Sequence, residues 1–339
     1  MLEHGTKIIS VATTNGKFAN YPTGALTDAK FYTVEQLTAM SKGSALVRDV
    51  SKISEIFETK NRAKIAISED MEVEETINVP AGKTLELDLN GNTLSSTRRI
   101  IEVNGGNVTI SNGTIESSDR PIVVFDGTLT VNGADITSTT DVALNATGEN
   151  SKIIMNSGKV TAQESGILVT TGAKLELNGG EVECYDNCPI QGNGTVKPGN
   201  DQGHTEIVMN GGKLVAHIQS PTYTACAIYI PNSGKFIMNG GEVISDGAGL
   251  VMRAGEVVLN GGSITANGAS GVRGKVGDSR IVVGPYAVVY DETAKYPGAA
   301  NGPFSLTINE GMELYGTDGR IETLLSEGVE ANIIDNSSK

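Results

Sequence analysis

The stretch Leu175-Glu-Leu-Asn-Gly-Gly-Glu-Val182 decides how this chain folds. Leu175 and Leu177 lie two apart, so in an extended strand they share one face. Asn178 and Gly179 tolerate positive φ and turn the chain, and Val182 points inward again beyond the corner. A single unit of this kind cannot bury its apolar face alone; it needs neighbours of the same shape.

Those neighbours are present. The pattern recurs as Leu87-Asp-Leu-Asn-Gly-Asn-Thr-Leu94, as residues 108–115 around Ser-Asn-Gly, and as Leu129-Thr-Val-Asn-Gly-Ala-Asp-Ile136. It continues with Ile153-Ile-Met-Asn-Ser-Gly-Lys-Val160, then 207–214, 236–243, 257–264 and a looser copy from Leu306 to Leu314. A degenerate copy, Ile281-Val-Val-Gly-Pro-Tyr-Ala-Val288, fills the remaining gap. With the Asn or its equivalent as register, the copies fall at positions 90, 111, 132, 156, 178, 210, 239, 260, 284 and 309. Between them lie further short apolar runs, among them 121–125, 166–169, 227–230 and 249–252. Short strands and corners at roughly twenty to twenty-five residues per unit, without helical periodicity, describe one coil of a parallel β-helix. Leucine-rich repeats need a Leu-x-x-Leu-x-Leu pattern that is missing, and propeller blades repeat at about forty residues. The expected fold class is therefore all-β: a single-stranded right-handed parallel β-helix of about ten coils, roughly 50 Å long at about 4.8 Å per coil.

Composition agrees and excludes several functions. The 339 residues include 42 glycines, no tryptophan and 4% aromatics, which suits turns and small inward side chains. A formal net charge of −14 argues against a nucleic-acid groove, which needs a basic stripe. No stretch reaches membrane-spanning length, and Met1-Leu-Glu-His-Gly5 has no basic or apolar leader, so a protein made in a cytoplasm without a membrane partner is expected. Cys184, Cys188 and Cys226 are too few for a disulfide framework, and Cys184 and Cys188 lack a companion His pair for zinc. They are expected as small core residues, with no cofactor and no metal.

The corner residues form columns. Asn90, Asn132, Asn156, Asn178, Asn210, Asn239, Asn260 and Asn309 are expected to stack as a structural amide ladder inside the corner. Past the corner, Lys159, Glu181, Lys213 and Glu242 alternate in sign from coil to coil, which favours one register.

The ends of such a stack must be covered. Thr33-Val-Glu-Gln36 is a capping box for a short helix through Met40. Asp49 or Ser51 starts a second helix with Val50, Ile53, Ile56 and Phe57 on one face. Residues 33–62 are thus expected as a helical cap, 63–339 as the β-helix with its C-terminal cap, and 1–32 as an extended attachment arm. A loose terminus and an arm that orders on a partner both fit residues 1–32. The arm carries Ile8, Ile9, Val11, Phe18 and Tyr21, many apolar groups for a purely solvated tail.

The run Ile77-Asn-Val-Pro-Ala-Gly-Lys-Thr-Leu-Glu-Leu-Asp-Leu-Asn-Gly91 resembles the opening coil of the pectate-lyase-like β-helix superfamily, and the resemblance covers residues 50 to about 315. Phage tail spikes, head fibres and other virion appendages include many such proteins. The resemblance implies fold more strongly than function. It also implies a parallel homotrimer, a common assembly of appendage β-helices.

Polysaccharide-cleaving β-helices carry their acids on outward positions of one sheet, in adjacent coils. Here the outward residue of each triplet is Asp88, Thr109, Thr130, Ile154, Glu176, Val208, Ile237, Val258, Val282 and Thr307. Asp88 and Glu176 would stand about 19 Å apart, whereas a glycosidase pair needs roughly 5–9.5 Å. No catalytic residue is expected on that face, and His4, His204 and His217 have no partner at useful spacing. The surroundings of Asp119-Arg120 keep an enzymatic alternative open. Ile154, Val208, Ile237, Val258 and Val282 are apolar where water is expected, which marks a subunit interface; coverage by the long inserts 184–205 and 216–233 is the alternative. The expected function is a non-enzymatic structural virion protein of a bacteriophage, a head fibre, capsid decoration or other appendage, assembled in the host cytoplasm. Its expected partners are two further copies and capsid or other virion proteins bound through the N-terminal arm, with surface glycans a further candidate. A bacterial surface or secreted β-helix adhesin is the first alternative, and a polysaccharide depolymerase the second.

Overall fold

The structure, a computed structural model, describes residues 44–47, 49, 50, 52–192, 205–218, 226–231, 234–268, 273–276, 279–282, 284, 286–290, 304–316, 323, 324, 332 and 333. Within the first 43 residues it describes only the short strands 2–4, 7–9, 13–14, 17–18 and 30–31. The described chain is mostly β-strand, in parallel sheets, with one helix.

Each full repeat lays strand along three faces, the first two joined in some coils by one continuous strand such as Asn107–Ser117. In one coil, Thr84–Asp88 lies on a first face, Thr93–Ser96 on a second beyond the Asn-Gly corner, and Ile101–Asn104 on a third. Alternation puts Leu85, Leu87, Leu94, Ile101 and Val103 inside, each no more than 1% exposed. The next coil repeats the path. Leu85 pairs with Val108 and Leu87 with Ile110; Leu94 pairs with Ile115, and Ile101 with Ile122. Every such pairing is parallel, and one apolar core runs unbroken from Val50 to Leu314. The first face stacks from Ala45–Val47 to Asn332–Ile333, and the third is a sheet of ten strands ending at Thr323–Leu324. The third face is also apolar on its outer side. Tyr229, Val251 and Val289 stack there in register and are buried with Cys188, Cys226 and Ala248 in a second, smaller cluster.

The helix is Lys52–Thr59, and it buries Ile53 and Phe57 with Val50, as the apolar spacing predicts. Between Ala45–Val47 and Arg62–Ile67 it occupies the place that second- and third-face strands hold in later coils, and it packs against Ile77–Pro80. The ammonium of Lys83 donates to the carbonyls of Phe57 (2.6 Å) and Lys60 (3.1 Å), satisfying groups at the end of the helix. The stack thus begins before the helix: strand 45–47, within the range 33–62 expected as a helical cap, pairs parallel with Arg62–Ile67 on the first face. The helix expected over 33–40 lies outside the described residues.

Two expectations need correction. The copy at 281–288 is not a coil of the first face. Ser279–Val282 pairs antiparallel with Arg273–Val276, and Val258 stacks directly on Thr307. A hairpin strand supplies the same apolar spacing as a coil strand, so even a degenerate copy of the pattern fits both. The copy at Leu87 is also displaced by two residues. Glu86, not Asp88, is the outward neighbour of Thr109.

The corner itself turns on its second glycine. Gly180 has φ +86°, and a Cβ there would lie 2.5 Å from the carbonyl oxygen of Gly158 in the coil below. Coil spacing leaves no room for a side chain, so backbone conformation and stacking demand glycine together. Gly180→Ala should therefore cost about 2–4 kcal/mol of unfolding free energy, combining left-handed strain with overpacking. Gly82→Ala is the control: its φ is +74° but nothing lies within 4 Å, so only strain of about 1 kcal/mol applies. Denaturant unfolding of the two variants checks the difference.

Candidate functional surface

On the first face the outward residues form three parallel columns. The first carries Lys152, Lys174, Glu206, Lys235 and Glu256; Lys174 pairs with Glu206 at 3.3 Å and Lys235 with Glu256 at 3.0 Å. The second, in register, runs Glu86, Thr109, Thr130, Ile154, Glu176, Val208, Ile237, Val258, Thr307. Of the expected interface residues, Ile154, Val208, Ile237 and Val258 share this column and are half-buried. Glu176 separates Ile154 from the others and is itself held by Lys152 at 2.8 Å. Val208, Ile237 and Val258 form the unbroken part, and Val282 lies off the column in the hairpin.

The third column is the amide ladder. Asn156 donates from Nδ2 to Oδ1 of Asn132 (2.8 Å), Asn178 to Asn156 (2.9 Å), and Asn210 to Asn178 (2.8 Å). Asn239, Asn260 and Asn309 continue it at 2.8, 2.8 and 2.6 Å. The ladder stands on the outside of the corner, because the residue after an inward Leu or Met must point outward. Asn90 is not a rung. Its coil is displaced, so Asp88 holds the equivalent place and accepts from Asn112 (3.2 Å), while Asn90 reaches back to the carbonyl of Ile67 (3.4 Å).

On the second face Lys159 pairs with Glu181 (2.8 Å) and Glu183 (2.6 Å), and Lys213 with Glu242 (3.2 Å). Exposed pairs of this kind are worth about 0–1 kcal/mol each, so they select register more than they stabilise. Near the N-terminal end of the first face, Ser44, Lys64, Glu86, Asp88 and Thr109 line an open groove of about 370 Å³. Its Glu86 is paired to Arg62.

Polar groups also meet where the second face turns toward the third, and sequence spacing did not show this. His217 lies 2.9 Å from Glu183 through Nε2, and its ring stacks on Tyr185 with centroids 5.1 Å apart. The residues are 34 apart in sequence but belong to adjacent coils. Counting from the ladder residues Asn178 and Asn210 would have revealed them. Three coils earlier, Arg120 binds Asp141 (3.1 Å), and one coil earlier Gln163 binds Asp186 (2.7 Å). Burial pushes the Glu164 carboxyl up; Asp141 adds to the shift and Arg120 opposes it. His204 lies outside the described residues, and His4 sits in strand Leu2–His4.

Cys184 is buried inside the second face, and burial raises its thiol to about 12, so it is an inert core group. Cys188 and Cys226 stand on adjacent third-face coils with their sulfurs 3.2 Å apart. Among the described residues no group of three or more His, Cys, Asp or Glu is arranged to hold a metal.

The hydrogen bond from Lys159 holds the Glu183 carboxyl below its ordinary range; burial opposes this, and His217 adds to it. A depressed carboxylate contributes stability that is fully present above its unfolded value of about 4.3 and lost as pH falls through the lower folded value. Glu183→Gln should therefore flatten the acid limb of stability against pH below about 4.3, measured by urea unfolding in a pH series. An unchanged limb in the variant would contradict the assignment.

In comparisons with known proteins, no family model, no curated protein and no solved structure matches this chain.

Proposed function

We propose that the chain is a single-stranded right-handed parallel β-helix serving as a non-enzymatic virion appendage of a bacteriophage, a head fibre or capsid decoration assembled as a parallel homotrimer. Right-handed winding follows from the strong handedness preference of parallel crossover connections. The observation that carries the proposal is the unbroken Val208–Ile237–Val258 stripe, half-exposed on the first face of the stack. The columns on either side satisfy themselves: amides bond amides, and Lys binds Glu. Much of that face's polar chemistry is already paired, and the stripe is left with apolar area to remove from water, worth about 25 cal/mol per Å².

Attachment is assigned to residues 1–32. Leu2–His4 pairs antiparallel with Lys7–Ile9 and with Lys30–Phe31, and Thr13–Thr14 pairs with Lys17–Phe18. The described strands there pair with one another, and the parallel stack is built without them. Ile8, Ile9 and Phe18 fall in these strands; Val11 and Tyr21 lie outside the described residues. Deleting residues 1–32 should leave the melting curve of the stack nearly unchanged and abolish incorporation into particles. Normal decoration by the shortened protein would place attachment elsewhere.

Glycan cleavage is a second reading, favoured by the half-buried Glu164 at the second corner, in the same polar region as the Arg120–Asp141 pair, where burial pushes its carboxyl up. Release of reducing ends from a bacterial polysaccharide, lost in Glu164→Gln, would support it over the structural reading.

The trimer is tested by native mass. Wild type should run at three times the chain mass, and Ile237→Lys should dissociate it, because an ammonium would enter a surface that must exclude water. A monomeric wild type would overturn the assembly.

A further inference from the structure

Arg253 follows the third-face strand Ala248–Met252 and is 2% exposed, an unusual place for a charge. Its Nε and Nη2 have no hydrogen-bond partner. The hydroxyl of Tyr229, on the preceding third-face strand and 3% exposed, has none either. Burial pushes that phenol well above its ordinary range; the close approach of the Arg253 guanidinium and its positive charge act against the shift, so the two groups face each other at short range without reaching hydrogen-bond geometry. Tyr229 joins Val251, Val289 and Ala248 in the apolar cluster on the outer side of the third face, and Arg253, next after the inward Met252, falls on the same side by alternation.

The orphan atoms have one chemistry in common. Nε–H and Nη2–H form the side edge of the guanidinium, the fork that binds two oxygens of one planar group in parallel. The phenol adds a third donor. A buried cation with unmet donors is strongly disfavoured unless an acceptor of opposite charge completes it. Arg253 and Tyr229 bring one positive charge and three donors. A carboxylate, with one negative charge and two oxygens, balances that set. A phosphate dianion would leave surplus charge in a water-poor place.

We propose that Arg253 and Tyr229 form a carboxylate-binding site on the outer side of the third face, with the Nε–Nη2 edge gripping both oxygens and the phenol donating to one. The site is separate from the Val208–Ile237–Val258 stripe, which lies on the first face, and it does not depend on the trimer.

The test uses the full chain and sodium acetate as the probe, with sodium chloride at equal ionic strength as reference. Acetate should raise the melting temperature of the wild type saturably, and inorganic phosphate should not. Tyr229→Phe keeps the fork and loses one donor, so it should need about tenfold more acetate for the same shift. Arg253→Met should abolish the shift and melt no lower than wild type in acetate-free buffer. The absence of any rise with acetate beyond chloride overturns the proposal, as does a saturable rise with phosphate alone. It is also overturned if Arg253→Met melts far below wild type without acetate and Asp291→Asn reproduces that loss. The guanidinium would then have an acidic partner in its own chain, at the residue following Tyr290 in sequence.

Discussion

Parallel, in-register pairing between consecutive coils is the constraint on which the rest of this molecule depends. It places each side chain about 4.8 Å from its counterparts above and below, so every position becomes a column and each column must tolerate its own repetition. Apolar residues do so inside. Asn does so outside because its amide both donates and accepts, and the ladder from Asn132 to Asn309 runs in one direction without an unmatched rung. Charges do so where sign alternates, as in Lys159, Glu181, Lys213 and Glu242. Glycine does so where a Cβ would strike the backbone of the coil below, as at Gly180.

Much of this was legible because the constraint writes itself into sequence as repetition. The apolar-x-apolar spacing identified the inward residues, and the alternating column past the corner carries the ion pairs its signs implied. The pattern was less informative where two structures share one local spacing. Ile281-Val-Val looks like a coil strand, but hairpin strands alternate as well, and only pairing partners separate them. The coil at Leu87 contains three alternating leucines, Leu85, Leu87 and Leu89, so a shift of two residues leaves the pattern intact while moving Asp88 into the ladder position. Side chains beyond the regular strands were the hardest to place. Glu183 and His217 meet because their coils are adjacent, but a long insert sets them 34 residues apart, so the pair shows only when positions are counted from Asn178 and Asn210.

The same physics sorts the surface by what it leaves unfinished. Columns that pair internally have little left to offer a partner, which includes most of the first two faces. Two places stand apart. The Val208–Ile237–Val258 stripe keeps apolar area half-exposed, and the Arg253–Tyr229 pair keeps buried donors without acceptors. One calls for a surface and the other for a small acidic group, so they describe different relationships on different sides of the stack. The polar corner of Arg120, Asp141 and Glu164 is of a third kind, internally paired at Arg120–Asp141 yet holding a carboxyl raised by burial.

Register across the longest interval is the most exposed part of the account, because there the pairing and the repeat pattern disagree. Val258 pairs with Thr307, 49 residues on, whereas the repeat pattern would pair it with Val282. Cysteine pairs decide between them in a chain whose native cysteines are replaced by alanine. Under mild oxidation V258C/T307C should form an intramolecular disulfide in high yield, since Cα atoms of directly paired strands lie within the roughly 4.4–6.8 Å that a disulfide spans, and V258C/V282C should remain reduced. Efficient closure of V258C/V282C with none in V258C/T307C would contradict the stacking from which every column on this surface has been derived.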